Sequence, residues 1–221
     1  MLVVTVLVLV GLWVVGSDAF RSLPPELRRT PTPVTLPPGG GEGNSGDDDL
    51  AANVRTAQRL GGRIDYGKVD PRTGQRSGIS ATITPGMVAA AERDQLGSEP
   101  DESIRPPGFG QLPSRNRARG HLLGRQLGGS GKVSSNLIAM YQSRANSPVM
   151  RDYETMVADA VQRGETIRYE VRPLYASAAT NGIPSAVRLR ATGNRGFRMD
   201  VQISNTPQAT VKVYVPPPGQ S

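Results

Sequence analysis

Apolar residues recur at helical spacing in three segments of the chain. Residues 49–62, DLAANVRTAQRLGG, place apolar side chains at positions 50, 54, 57 and 60 between an Asp that can cap a helix and a Gly that can end one. Residues 84–97, TPGMVAAAERDQLG, begin with Thr-Pro and end at Gly, and residues 147–164, SPVMRDYETMVADAVQRG, begin with Ser-Pro and end at Gly. Each segment is therefore predicted to be a helix.

Alternation of apolar and polar residues marks two other parts of the folded region. Residues 63–84, RIDYGKVDPRTGQRSGISATIT, alternate around a Pro-Arg-Thr-Gly turn, which predicts a β-hairpin. After Gly164, four alternating segments follow: TIRYEVRPLYA, AVRLRATG, FRMDVQISN and TVKVYV. The predicted fold class is α+β, with an antiparallel sheet, one solvent-exposed sheet face and flanking helices.

The first fifty residues have a different composition. Residues 2–15, LVVTVLVLVGLWVV, are uninterruptedly apolar but too few for an ordinary membrane-spanning helix. We interpret residues 1–20 as a signal peptide or a short membrane anchor, which predicts a secreted or surface-anchored protein, although no Lys or Arg precedes the run. Residues 21–48 are rich in proline and then glycine, which predicts a disordered linker before a folded domain at residues 49–221.

The positive charge is concentrated in the predicted folded domain. The chain has 26 Lys and Arg against 19 Asp and Glu, but residues 1–50 contain only three of the bases and six of the acids. The remaining 23 bases and 13 acids make residues 51–221 strongly basic, and all but three of the bases in the chain are Arg. A polyanionic partner, most simply nucleic acid, is predicted. A coding bias towards Arg is the alternative explanation for the scarcity of Lys.

Cysteine is absent, which excludes a disulfide framework and a thiolate metal site. The glycine-rich GGSGKV segment is not a nucleotide-binding P-loop, because Gln126 stands where Gly is needed and Val133 follows Lys132. The glycines are expected to let the chain turn sharply.

The single histidine, His121, lies among arginines in the sequence RNRARGHLLGRQLGGSG. An isolated histidine is usually structural. Hydrolysis of a phosphodiester, however, needs a base with a pKa near neutrality and cations for the phosphoryl oxygens, and this segment offers both. Four arginines are predicted to contact nucleic acid: Arg115, Arg117, Arg125 and Arg144. The alternative is that some of them belong to a solvated loop.

Oxygen donors for a hard metal ion follow His121 in the sequence. Asn136, Gln142, Asn146 and Glu154 lie at spacings that a strand followed by a helix can bring back to the histidine. Two alternatives stay open. Asn146 precedes Ser-Pro and is also placed to cap a helix, and Glu154 can be an exposed helix charge paired with Arg151.

The segments RGHLLG, GGSG and NLIAMYQSRANSPVMRDYE together resemble the DNA/RNA non-specific endonuclease family, of the ββα-metal (His-Me finger) superfamily. The resemblance is strong over residues 104–175, weaker in the hairpin and the C-terminal strands, and absent from residues 1–48. One departure is that Ala118 replaces the acid that commonly precedes Arg-Gly-His. Loss of that acid removes a partner that orients the loop rather than a group that acts on phosphate.

The resemblance implies a role for each matching residue. His121 would be the general base that activates water, Asn146 the direct protein ligand of one Mg²⁺, with Mn²⁺ as a substitute, and Glu154 would hold the metal's water. Asn136 would support the site, and Arg119 would bind the scissile phosphate.

The predicted function is a metal-dependent endonuclease that hydrolyses DNA, RNA or both without sequence preference. No base-reading motif is recognisable in the sequence, and phosphate contacts bind any sequence. Two alternatives remain: an inactive basic nucleic-acid-binding module at the cell surface, and a nuclease toxin domain of a secreted effector that is blocked by a cognate inhibitor (immunity) protein.

Overall fold

Three helices and a six-stranded antiparallel sheet dominate the part of the chain that the computed structural model describes, residues 45–176 and 182–219. The helices are α1 (Ser45–Arg59), α2 (Pro85–Glu92) and α3 (Val149–Gln162). All three lie within or close to the predicted segments, although α1 begins four residues earlier than predicted. Within the described ranges, no helix combines the length and apolar character needed to cross a bilayer. The apolar run at residues 2–15 and most of the predicted linker lie outside these ranges.

The large sheet has the strand order β1-β2-β7-β8-β9-β10, and every neighbouring pair is antiparallel. It consists of β1 (Arg63–Asp65), β2 (Ile79–Ile83), β7 (Ile167–Leu174), β8 (Ala186–Gly193), β9 (Arg198–Ser204) and β10 (Val211–Val215). The predicted hairpin corresponds to β1 and β2, and the four alternating segments after Gly164 correspond to β7–β10. The predicted α+β class, with an antiparallel sheet and flanking helices, is confirmed.

Alternation along the strands separates a buried face from a solvent-exposed face. In β7, Ile167, Tyr169 and Val171 are fully buried, whereas Arg168 and Arg172 are exposed. The buried residues join those of α2 and α3 in one core that includes Met87, Val157 and Leu189. The exposed face carries cross-strand ion pairs, of which the pair between Arg188 and Asp200 is bidentate.

Between α2 and α3, the chain forms a second, smaller antiparallel pair, β3 (Arg117–His121) and β4 (Leu137–Tyr141). His121 is paired with Leu137 at the end of β3, and a glycine-rich loop, residues 122–136, connects the two strands. A short parallel pair, β5 (Ser143–Arg144) and β6 (Ser147–Pro148), then leads directly into α3. Two antiparallel strands followed by a helix thus surround the lone histidine.

Buried hydrogen bonds attach α1 and the first hairpin to the glycine-rich loop. The Tyr66 hydroxyl donates to Asn53 Oδ1 at 2.6 Å and accepts from the Ser130 backbone N–H at 2.9 Å. The Asn53 amide in turn donates to the Gly128 carbonyl at 3.1 Å. Burial raises the pKa of Tyr66, so the phenol stays protonated and remains a donor.

We predict that Tyr66→Phe lowers the free energy of unfolding by about 1–3 kcal/mol, because it leaves Asn53 Oδ1 and the Ser130 N–H without partners in a buried setting. Urea denaturation followed by circular dichroism measures this loss. Tyr214→Phe is the matched control, since its hydroxyl contacts Gln202 on an exposed surface, and it is expected to change stability by less than about 0.5 kcal/mol. Equal stabilities of the two variants would show that the Tyr66 bonds contribute nothing.

Candidate active site

The end of β3 places His121 at the mouth of an open pocket. Side chains at 117, 119 and 121 project from one face of the strand, while Ala118 and Gly120 are buried on the other. Gly120 has no room for a side chain, because an added Cβ would lie 2.4 Å from the sulfur of Met140 on β4. The glycine before His121 is therefore needed for the two strands to pack closely.

A backbone carbonyl orients the imidazole. His121 Nε2 lies 3.0 Å from the carbonyl oxygen of Ser98. A carbonyl can only accept, so Nε2 carries the proton in the neutral ring and Nδ1 carries the lone pair. The hydrogen bond thus selects a tautomer in which Nδ1 is the atom able to take up a proton.

Burial also lowers the pKa of His121 below its ordinary value. The Ser98 carbonyl and the charge of Glu99 oppose this shift, while the charge of Arg125 adds to it. The imidazole is therefore mostly neutral at pH 7, which is the form that a general base requires.

Asn146 faces the same pocket from the turn before α3. Its Nδ2 donates to Gln142 Oε1 at 3.0 Å, so the amide is oriented and its oxygen is not used in that bond. The interpretation of Asn146 as a helix cap is wrong: the N-cap residue of α3 is Pro148, and no side chain caps the helix. Its amide oxygen is instead available to a ligand.

Glu154 lies on the buried side of α3, with 6% of its surface exposed. Its Oε1 accepts a hydrogen bond of 2.8 Å from the Gly124 backbone N–H. Burial raises the pKa of Glu154 to about 8, although the Gly124 bond works in the opposite direction. The alternative of an exposed helix charge paired with Arg151 is therefore wrong.

Gly124 is the residue against which the Glu154 carboxylate packs. A Cβ at position 124 would lie 2.3 Å from Glu154 Oε2 and 2.6 Å from its carboxyl carbon. Any side chain at this position would displace the carboxylate from the pocket, so the glycine preserves the position of Glu154.

His121, Asn146 and Glu154 line one pocket, which also includes Gly124 and Arg125. A second depression shares His121 and Asn146 with this pocket and continues to Arg119, Gln142 and Glu102. The two depressions adjoin at these shared residues, and we call them together the groove. The structure thus brings together three of the residues predicted from the sequence, with Arg119 farther along the groove.

Asn136 supports the site from behind and lines neither depression. Its side chain is fully buried, and its oxygen accepts from the Leu123 N–H at 2.9 Å. Its amide nitrogen donates to the carbonyls of Leu123, at 3.1 Å, and Ser130, at 3.0 Å. All of its hydrogen bonds hold the glycine-rich loop, so Asn136 positions other groups.

The predicted phosphate-binding arginines differ in their surroundings. Arg119 donates to the carbonyls of Ile104 and Glu102, both at 2.7 Å, and retains three further N–H donors. Arg125 is paired with the carboxylates of Asp94 and Glu99. Arg117 lies over the ring of Phe109, and Arg115 and Arg144 are exposed outside the groove.

Other residues of the site were not identified from the sequence. Glu99 lines both depressions, and Ser98 orients the imidazole, but both lie in an irregular segment without periodicity. Tyr169 on β7 is fully buried with a hydroxyl that has no hydrogen-bond partner, and its pKa is raised by burial and by the charge of Glu154. The alternating pattern of β7 identified Tyr169 only as a core residue.

Within the described residues, no group of three or more His, Cys, Asp or Glu side chains is arranged to hold a metal ion. In the pocket that contains Glu154, the oxygen donors include the Asn146 amide, the buried Glu154 carboxylate and the Glu99 carboxylate, and the last is paired with Arg125. A cation bound here would keep most of its coordination sites for water and substrate, as Mg²⁺ does in proteins.

Comparisons with known proteins agree on the fold. A search of curated proteins gave no match. Among solved structures, NucA from Streptococcus agalactiae with magnesium ion bound is 19% identical with a TM-score of 0.53, and the match covers 69% of this chain and 78% of that one. Sda1 nuclease with bound zinc ion is 20% identical with a TM-score of 0.52, covering 65% of this chain and 75% of that one. At these identities the likeness shows a shared fold.

Family membership is shown by the sequence. Residues 56–192 match the family described as DNA/RNA non-specific endonuclease. The matched region covers more than half of the chain and contains β3, β4 and α3 with every residue of the pocket. The protein therefore belongs to the DNA/RNA non-specific endonuclease family.

Proposed function

We propose that this nuclease hydrolyses phosphodiester bonds of DNA, RNA or both without sequence preference, with His121 as general base and one Mg²⁺ in the site. The proposal rests mainly on the bond between His121 Nε2 and the Ser98 carbonyl, which leaves Nδ1 as the basic atom in a pocket shared with Asn146 and Glu154. In this proposal, β3, β4 and α3 act as the ββα-metal motif that the sequence predicts.

The donor set fits a hard divalent cation. Asn146 would supply its amide oxygen directly, and Glu154 would act through water. The magnesium ion in NucA and the zinc ion in Sda1 nuclease support a divalent cation in this fold. A protein zinc site usually has three or four nitrogen or sulfur ligands, which the pocket does not supply, so Mg²⁺ or Mn²⁺ is the better fit. When bound, such a cation neutralises charge on the phosphoryl oxygens and the leaving oxygen.

The residues of the chain account for the proton transfer and the positioning. His121 Nδ1 takes a proton from water as the water oxygen attacks phosphorus and the bond to the leaving oxygen breaks. Arg119, fixed by two carbonyls, directs its remaining N–H groups at a phosphate oxygen. Solvent in the open groove returns a proton to the leaving oxygen. No contact in this scheme involves a nucleobase of the substrate, which accounts for the proposed absence of sequence preference.

The location and protein partners are proposed from the sequence alone. The apolar residues 2–15 support a secreted or surface-anchored enzyme. A cognate inhibitor protein and membrane anchoring through residues 2–15 are further predictions from the sequence.

We predict that Asn146→Ala reduces cleavage of plasmid DNA and of RNA by on the order of 10²–10³ while leaving the unfolding midpoint nearly unchanged, because the side chain caps no helix. Gel assays with Mg²⁺, with Mn²⁺ and with excess EDTA provide the comparison. Gln58→Ala, which removes an exposed amide on α1, is the control and should retain full activity. Undiminished digestion in EDTA would refute the metal-dependent mechanism.

His121 provides a pH prediction in a chain with no other histidine. The rate is expected to rise with pH as the imidazole loses its proton and to level off at a lower pH than an ordinary histidine would give, because burial lowers the pKa of His121. His121→Ala should lose about 10²–10⁴ in rate together with this step. Single-turnover rates at a series of pH values test the prediction. A step that persists in the variant belongs to another group, such as Glu154.

His121→Gly adds a rescue test for the same role. Free imidazole in the buffer is expected to restore part of the cleavage in this variant, because a small base can enter the space left by the side chain. The same concentration should not affect Asn146→Ala. Restoration of both variants to the same extent would remove the case for His121 as the base.

We predict that Arg119→Ala lowers the cleavage rate by about 10²–10³ but weakens DNA binding by less than about tenfold, since its charge acts at the scissile phosphate and other arginines maintain affinity. Binding is measured in the His121→Ala background, where the DNA stays intact. Arg55→Gln, an exposed charge on α1, is the control for loss of one positive charge. Equal losses in rate and affinity would make Arg119 a general binding residue.

A further inference from the structure

Three arginine side chains converge on the ring of Phe109. Their guanidinium carbons lie 4.6 Å (Arg119), 4.8 Å (Arg117) and 5.6 Å (Arg105) from the ring centroid. The ring is 6% exposed and packs with Leu112 and Ala139 in a small core of its own. We call Arg105, Arg117 and Arg119 the arginine cluster.

The described residues contain no carboxylate in ion-pair contact with the arginine cluster. Its polar contacts are with neutral carbonyls: Arg119 donates to Ile104 and Glu102, and Arg105 also donates to Glu102. The Asp101 carboxylate accepts its hydrogen bonds from Ser103, although the charge of Arg119 helps to lower the pKa of Asp101. Three like charges around one ring repel each other, and carbonyl and ring contacts offset this only in part.

Some other arginines of the described residues are paired with carboxylates. Arg188 makes a bidentate pair with Asp200, and Arg125 is paired with Asp94 and Glu99. The arginine cluster instead concentrates three positive charges around one ring without a carboxylate in ion-pair contact. Its electrostatics fit a ligand that carries several negative charges.

The arginine cluster also continues the row of side chains that ends at the proposed base. Arg117, Arg119 and His121 project from the same face of β3. Alternate residues of a strand lie about 7 Å apart, which is comparable with the separation of successive phosphates along one extended nucleic-acid strand. The groove includes Arg119 and His121, and Arg117 follows on the same face of the strand beyond Arg119.

We propose that Arg105 and Arg117 form a subsite for the phosphate that neighbours the scissile phosphate, and that Phe109 positions their guanidinium groups. The inference rests on the proposed function and adds the path of the substrate: one strand runs along β3, with the scissile phosphate at His121 and Arg119 and the next phosphate at Arg105 and Arg117. On the other side of the histidine Arg125 is already paired, so the subsite makes the groove asymmetric.

Asymmetry of this kind can be read from the cleavage of a single oligonucleotide. The probe is a 5′-labelled oligothymidylate in which one internal phosphate is replaced by an uncharged methylphosphonate, so that base identity is constant. The enzyme cuts the other linkages with Mg²⁺, and the intensity of each product band is compared with that from the unmodified oligonucleotide. Because the two linkages that flank the methylphosphonate are compared within one lane, their ratio does not depend on overall activity.

For the wild-type enzyme, cleavage next to the methylphosphonate is expected to fall by on the order of tenfold on one side only, where that linkage would occupy the subsite. The double variant Arg105→Gln/Arg117→Gln should cut both neighbouring linkages equally, since it has no charge there to lose. Arg55→Gln should behave as the wild type. Both changed residues lie outside the proposed catalytic groups, Arg105 is exposed and Arg117 is only partly buried, so folding is expected to be retained.

Phe109 is tested with a pair of variants. Phe109→Tyr keeps a ring beneath the guanidinium groups and should keep the one-sided suppression, whereas Phe109→Leu keeps an apolar side chain without a ring and should reduce it. Equal suppression on both sides in the wild type, or unchanged asymmetry in the double variant, overturns the subsite. Absence of any cleavage by the wild type with Mg²⁺ overturns the proposed function itself.

Discussion

The buried side chain of Asn136 determines the path of the loop on which the rest of the site depends. Its three hydrogen bonds satisfy the N–H and carbonyl of Leu123 and the carbonyl of Ser130, which holds residues 122–130 in place. The loop then presents the Gly124 N–H to Glu154 on α3. Because His121 immediately precedes this loop, the histidine and the carboxylate are positioned by the same set of bonds. An Asn136 amide without hydrogen-bond partners would destabilise the fold in this fully buried position. Loop conformations that leave the amide unpaired are therefore disfavoured.

Burial has opposite effects on the two titratable groups of the pocket. It lowers the pKa of His121, which keeps the base neutral, and it raises the pKa of Glu154 to about 8, which favours a protonated acid when no cation is near. A positive charge near Glu154 would favour the carboxylate form. Burial thus favours the neutral imidazole and leaves the carboxylate dependent on a cation, which links the proposed metal to the chemistry of the chain.

Much of the fold and part of the site could be predicted from the sequence. Strand alternation after Gly164 and the Ser-Pro and Thr-Pro helix starts located β7–β10, α2 and α3, because local burial patterns are readable from spacing. The motif around His121 identified the residues that share the pocket. Spacing could not show that Asn146 leaves its helix uncapped or that Glu154 is buried, since both facts depend on which face of α3 meets the loop.

Contacts made by irregular segments could not be predicted from the sequence. The Ser98 carbonyl, the Glu99 carboxylate and the Phe109 ring come from a stretch without periodicity, and only tertiary packing brings them to β3. The pairing of Arg125 with two acids was likewise hidden, although its position in the motif indicated a phosphate contact. Composition identified an arginine-rich domain, but it could not separate neutralised arginines from those left without an anion.

A crystal structure of the protein with Mn²⁺, using the anomalous signal of the ion, tests the central claim most directly. The account predicts one ion in the pocket, with Asn146 Oδ1 as its protein ligand at about 2.1 Å and with the bond between His121 Nε2 and the Ser98 carbonyl intact. An ion bound away from Asn146, or an imidazole that coordinates the metal through Nδ1, would contradict the assignment of His121 as the base.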